Sequence, residues 1–268
     1  MSSASESAST ETVTVSVSDG DYLWAQRSGA GSPVVFLHGS GIDSRLWNGV
    51  FEELARDHTV IRYDARGLGH STVPTQPFSD VADLVAVLDH FGVERAALAG
   101  MSMGGETSLD FALTEPGRVS SLMLIGSSVG GHEWLYAPEL EAYNQARRDR
   151  DGERLIDLEL EIWAAMGTDA TGGDVIAAMV EQNAHRRVDT ERFMTTADHN
   201  ALSILDRIMV PTLVLHGDRD HPEIATIADQ LETRIPHATS QVVADADHYL
   251  PLRVPGELAR LLRSHLAQ

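Results

Sequence analysis

The feature that most constrains this chain is a series of short apolar runs, each too brief for a self-burying helix. They fall at 33–38 (PVVFLH), 60–64 (VIRYD), 96–99 (AALA), 122–125 (LMLI), 212–215 (TLVL) and 241–243 (QVV). Unbroken runs of this kind suit strands covered on both faces, as in a parallel sheet; one-sided strands alternate instead. Helical patterns separate them. Residues 79–91 place Val81, Leu84, Val85 and Leu88 on one stripe, and 103–114 and 255–266 repeat the pattern. Strand alternating with helix predicts an α/β fold: a doubly wound, mostly parallel sheet with right-handed crossovers. Ahead of it, 12–27 alternates and breaks at Asp19-Gly20, which predicts a hairpin.

One stretch departs from the alternation. From 131 to 207 only helical periodicity is visible, as in Leu155, Leu158 and Ile162. An insertion between two sheet strands makes a natural lid, because sites of open α/β sheets lie outside the strands' carboxyl ends. The expected organisation is therefore a core of 12–130 and 208–268, with a helical cap over 131–207. Residues 1–11 are Ser-rich and acidic with no apolar run, and are expected to be a disordered tail.

Composition narrows the chemistry. Forty acidic against 20 basic residues leave a formal net charge of −20. Such a surface repels phosphate backbones and anionic headgroups, so neither nucleic acid nor membrane is expected as a partner, and a small molecule is. With no apolar stretch of about 18 residues and no secretory signal, a cytoplasmic location is expected. Oligomeric state is left open. There is no Cys, which excludes thiolate nucleophiles and Cys-based metal sites, and every basic residue is Arg. Schiff-base, pyridoxal-phosphate and P-loop chemistry each need a Lys and are excluded too.

After the run ending at Ala99 stands Gly100-Met101-Ser102-Met103-Gly104-Gly105, then a helical pattern. G-x-S-x-G in a strand–turn–helix context thrusts a serine hydroxyl off the sheet at a helix N-terminus, where backbone N–H groups favour developing negative charge. A Gly-rich packing turn would carry the same letters. A serine nucleophile needs a base and the base an orienting acid, which follow in chain order in loops after the last strands. Strand 212–215 runs into His216-Gly217-Asp218-Arg219-Asp220, and strand 241–243 into Asp245-Ala246-Asp247-His248. His248 is the candidate base and Asp220 the candidate acid. Asp218 is second choice for the acid, Asp220 could instead cap the helix near Pro222, and His216 is expected to be structural. Strand 33–37 ends in His38-Gly39-Ser40-Gly41, a loop that could be a simple turn or could aim an N–H at a reacting carbonyl. The backbone N–H groups of Ser40 and Met103 are the candidate oxyanion hole.

With these four elements in order, the chain resembles the α/β-hydrolase superfamily over residues 13–266. Asp64-Ala-Arg66-Gly67-Leu-Gly69-His-Ser71 is similar to its D-x-R-G-x-G-x-S turn, with Leu68 where relatives often carry His. Ser102-Met-Gly104-Gly105 resembles the elbow of its small bacterial members, and 248–255 its terminal histidine segment. Asp64 and Arg66 are expected to brace the loop. Serine at the elbow argues against dehalogenase and epoxide-hydrolase activity, which use Asp there. The resemblance implies a serine hydrolase of a small, largely apolar ester or lactone, acting through an acyl-enzyme with no metal or organic cofactor, similar to 3-oxoadipate enol-lactonases. The alternatives are a carbon–carbon hydrolase, a cofactor-free perhydrolase and a non-enzymatic ligand receptor. Carbon–carbon hydrolases typically carry Asn and Trp where this chain has Met101 and Tyr249. For the substrate pocket the candidates are Gly39, Met101, Trp134, Trp163 and Met166, with Tyr136 and Met194 as further large side chains of the lid.

Overall fold

The computed structural model describes residues 9–17, 20–135, 137–195, 197 and 199–268. The hairpin comes first, β1 (Glu11–Ser16) and β2 (Tyr22–Ser28), then β3 (Pro33–Leu37), α1 (Asn48–Leu54), β4 (Thr59–Tyr63), α2 (Asp80–His90), β5 (Ala96–Met101), α3 (Met103–Thr114) and β6 (Val119–Ile125). Helices α4 (Pro138–Asp149), α5 (Gly152–Trp163) and α6 (Gly173–Thr190) follow. The chain closes with β7 (Thr212–Gly217), α7 (Pro222–Arg234), β8 (Ala238–Val243), α8 (Leu250–Arg253) and α9 (Pro255–Leu266). All eight strands form one sheet in the order β1-β2-β4-β3-β5-β6-β7-β8. The first two are antiparallel additions and the other six run parallel.

The reason for the unbroken apolar runs is visible in the two cores. Successive residues of a strand point to opposite faces. Val35 and Leu37 of β3 join one cluster, with Leu84 and Leu88 of α2, Leu109 and Phe111 of α3, and Ile227 and Leu231 of α7. Val34 and Phe36 join the other, with Val50, Phe51 and Leu54 of α1 and Leu258 and Leu262 of α9. Both faces are covered, so the central strands are apolar for most of their length.

Three boundaries differ from the sequence reading. Glu11, assigned to the tail, opens β1 and pairs with Arg27 at 2.6 Å. Residues 1–8 of that tail, and Asp19 of the hairpin turn, lie outside the described residues. β8 begins at Ala238, not at Gln241. It is an edge strand in which only Val243 is buried, so the two-faced apolar signal fades over its first half. Helix α1 was not foreseen, because NGVFEEL spans too few turns to show a period. Between β6 and β7 the chain forms α4, α5 and α6 and no named strand among the described residues. Leu140, Tyr143, Leu155, Leu158 and Ile162 make a small core of their own between α4 and α5. No helix among the described residues is long and apolar enough to cross a membrane.

A buried ion pair fastens this helical segment to the end of the sheet. Asp247 and Arg253, both with fully buried side chains, meet at 2.8 Å. Arg253 also donates to the carbonyls of Gly167 and Thr171, in the α5–α6 loop, at 3.0 and 2.9 Å. Deleting one partner strands the other charge without water. Arg253→Met is therefore expected to lower unfolding stability by about 3–5 kcal/mol, read as a shift of the urea midpoint. A loss below about 1 kcal/mol would show that the pair is not holding the segment.

Candidate active site

β5 and α3 are joined by a single residue. Ser102 stands between Met101 and Met103 with φ 53° and ψ −117°, a left-handed conformation that costs a non-glycine residue about 1–3 kcal/mol. Packing on both sides enforces it. A Cβ on Gly100 would collide with the Gly104 carbonyl, and one on Gly104 with the Leu37 carbonyl, so helix and sheet meet only because both are glycine. The Ser102 N–H donates to the Ile125 carbonyl at 3.1 Å. The Ser102 carbonyl accepts from the Gly105 and Glu106 N–H groups at 2.9 and 3.1 Å.

The loops after β7 and β8 bring acid and base together. His248 Nδ1 donates to Asp220 Oδ1 and Oδ2 at 3.0 and 3.1 Å, with side chains 5% and 1% exposed. Asp220 Oδ1 also accepts the His221 N–H at 2.7 Å. Asp218, the second choice, instead accepts the Ala246 N–H at 3.2 Å and so joins the two loops. His216 is buried in β7, as a structural residue would be. Burial alone pulls the His248 imidazole down. The Asp220 charge and hydrogen bond, with smaller help from Glu159 and Asp247, outweigh it and leave the imidazole above its ordinary range. Trp163 covers the ring at 4.6 Å. Ser102 and His248 line one cavity, with no hydrogen bond drawn between them. Catalytic hydrogen bonds often tighten only around substrate, and a serine rotor turns at little cost.

The β3 loop is held by a buried histidine. Ala65 N–H donates to His38 Nε2 at 2.8 Å, so Nδ1 carries the proton and donates to the Gly39 carbonyl at 2.8 Å. Gly39 lies so close to the elbow that a Cβ there would sit 3.3 Å from the Ser102 Cβ. Ser40 and Met103 both line the cavity, and no described hydrogen bond takes either N–H. Asp64 braces the neighbouring turn by accepting the Ser44 and His70 N–H groups at 2.9 and 2.8 Å. Arg66 is held by Asp83 and Asp21.

These elements surround a cavity of about 400 Å³. Gly39, Met101, Trp134, Trp163 and Met194 line it. Met166 does not. Helix α5 ends at Trp163, so the next-turn spacing from Trp163 to Met166 no longer applies; Met166 sits in a loop with its N–H on Asp247 at 3.0 Å. Tyr136 lies outside the described residues. Sequence reading missed Phe78, Asp80, Tyr143 and Glu159. For Glu159 a signal existed: an acid on the apolar stripe of α5, between Leu155 and Ile162. It accepts from the hydroxyls of Tyr143 and Tyr249 at 2.5 and 2.9 Å. Among the described residues no three His, Asp or Glu side chains converge as a metal site would require.

A mostly parallel sheet that carries a strained serine after β5, an aspartate after β7 and a histidine after β8 has the α/β hydrolase architecture. Residues 34–261 match the alpha/beta hydrolase family, and the chain belongs to it. It is 29% identical over 255 residues to a 2-hydroxy-6-oxononadienedioate/2-hydroxy-6-oxononatrienedioate hydrolase of Cupriavidus pinatubonensis, covering 87% of each chain. It is 28% identical over 237 residues to a pimeloyl-[acyl-carrier protein] methyl ester esterase of Salmonella paratyphi A, covering 84% of this chain and 91% of the relative. An N-acyl homoserine lactone degrading enzyme of known structure superposes with a TM-score of 0.79 at 27% identity, covering 94% of this chain and 99% of that one.

His38→Leu keeps most of the volume but leaves the Ala65 N–H and Gly39 carbonyl unmatched. It is expected to cost about 1–3 kcal/mol of stability, measured by urea unfolding. An unchanged midpoint would mean the imidazole does not anchor the loop.

Proposed function

We propose that this chain is a serine hydrolase that cleaves the carboxylic ester or lactone of a small, largely apolar substrate through an acyl-enzyme. The observation that carries this reading is the buried Asp220–His248 hydrogen bond at 3.0 Å on the wall of a cavity shared with the strained Ser102. His248 Nε2 takes the Ser102 proton as Oγ attacks the carbonyl carbon, and the resulting oxyanion is received by the N–H groups of Ser40 and Met103. Collapse expels the alcohol with the proton from His248. The imidazole then deprotonates water, which releases the acid. Asp220 holds the imidazole with Nδ1–H turned away from the serine and stabilises its cation. Residues 131–207 act as the lid, supplying Trp134, Leu140, Tyr143 and Trp163 to the cavity.

The esterase and lactone-degrading relatives support the ester or lactone reading. The dioate hydrolase favours a second one, hydrolysis of a carbon–carbon bond by the same groups. A dioate brings two carboxylates into a cavity already lined by Asp80, Glu106 and Glu159, with Arg66 and Arg147 engaged by acidic partners. Like charges lining the same cavity oppose that substrate.

A fluorophosphonate is expected to label Ser102 alone. Turnover of a p-nitrophenyl acyl ester series should fall by at least ~10³ in Ser102→Ala. Residual activity within tenfold of the native chain would remove the serine from the reaction. Only neutral His248 serves as base, so kcat/KM should rise with pH through one ionisation and be lost below it. Because the folded site raises that ionisation, its midpoint should lie above the ~6.5 of an ordinary imidazole. A flat profile from about pH 5 to 9 would exclude His248 as the base.

A further inference from the structure

Of the charged side chains that line the cavity, Arg66, Glu106, Arg147, Glu159, Glu191 and His248 each have a protein partner. Asp80 is the exception: among the described residues its carboxyl enters no hydrogen bond or ion pair. It stands at the first position of α2, whose cap is already supplied by Ser79 accepting the Ala82 N–H at 3.4 Å, so the helix end does not require it. A carboxyl kept only for the helix dipole would be drawn down. Asp80 is instead pushed up to about 7, by burial first and then by Asp83, with Glu106 adding to the rise and Arg66 opposing it.

The charged groups that act on it are mostly acidic, Asp83 and Glu106 against the one cation of Arg66. Asp83 and Asp21 already consume the single guanidinium of Arg66, so that corner holds three carboxyls against one positive charge. Tyr63, also beside it, is driven well above its ordinary range by burial and the same acids, so it contributes no positive charge. The uncharged lining includes the aromatic residues Phe78, Trp134, Tyr143, Trp163 and Tyr249 among aliphatic and Met side chains such as Ile42, Leu68, Met101 and Leu140. Ring faces attract cations, and more strongly when water is excluded. The whole chain, at −20, draws cations in and turns anions away.

We propose that Asp80 is the specificity-determining residue of this site and that it receives an organic ammonium group, so the preferred substrate is a cationic ester or lactone. This inference rests on the serine-hydrolase reading for the position of the reacting bond. It does not depend on that reading for the binding of the cation. An incoming ammonium supplies the missing counter-charge, and Asp80 is held fully ionised against it. An anionic substrate meets the reverse.

Two esters that differ only in charge test it: p-nitrophenyl 4-(trimethylammonio)butanoate and its isostere p-nitrophenyl 5,5-dimethylhexanoate. The native chain is expected to favour the cationic ester by ~10-fold or more in kcat/KM, and Asp80→Asn to bring the ratio close to one. A native ratio near one, or an Asp80→Asn variant that keeps the preference, overturns the proposal. Binding of butyltrimethylammonium, measured by calorimetry on the native chain, Ser102→Ala and Asp80→Asn, separates the two readings. Binding by the first two with loss in the third supports the cation site even if no ester is hydrolysed. Equal binding, or none, in all three overturns it. Asp80→Ser repeats the measurement should the Asn variant not fold.

Discussion

Everything at the active end of this molecule is arranged around the one-residue turn between β5 and α3. A strand that must continue directly into a helix leaves no room for a loop, and the two elements approach so closely that Gly100 and Gly104 can carry no side chain. Ser102 absorbs the change of direction with a positive φ. Ser102 therefore stands at the start of α3, where it and Met103 line the cavity, and Ile125 on the neighbouring strand holds its backbone N–H. The strain is offset by two fully packed cores, one on each sheet face. A loosely packed fold could relax the turn and lose the geometry.

The loops around the cavity share a device: each follows a strand's carboxyl end and is pinned by a buried polar residue. His38 pins the β3 loop, Asp64 the β4 loop, Asp218 joins the β7 and β8 loops, and Asp247 with Arg253 ties the histidine segment to the α5–α6 loop. Each is a buried polar group that must be satisfied to be tolerated, so it selects one loop conformation over its competitors. The cost of breaking such a pair is what gives the site its rigidity.

Charge then works on the contents of the cavity. The His248 imidazole is lifted by Asp220, as the proposed role of a base that holds a proton transiently would require. Glu159 shares in that field while receiving two tyrosine hydroxyls, one from α4 and one from the residue after His248. The helical segment is thus coupled electrostatically to His248 as well as packed against it through Trp163. Among the charged groups of a mainly apolar lining, the carboxyls of Asp80, Glu106, Glu159 and Glu191 outnumber the guanidiniums of Arg66 and Arg147, in keeping with the acidity of the whole chain.

The fold was legible in the sequence because its signals are local. A strand covered on both faces must be apolar throughout, an amphipathic helix must repeat near 3.6, and a serine elbow must have glycine where backbones touch. The order of Ser102, Asp220 and His248 along the chain was readable for the same reason: each follows a recognisable strand. What lay beyond the sequence is what depends on separation in space. The edge position of β8 removed its buried pattern, the end of α5 at Trp163 turned Met166 away from the cavity, and Tyr143, Glu159 and Tyr249 met only when three distant segments packed. Asp80 reads as an ordinary helix-start acid until the tertiary structure shows that it lines the cavity. Periodicity and turn chemistry are properties of neighbours in sequence, whereas burial, partnership and charge at a site are properties of neighbours in space, and only folding decides those.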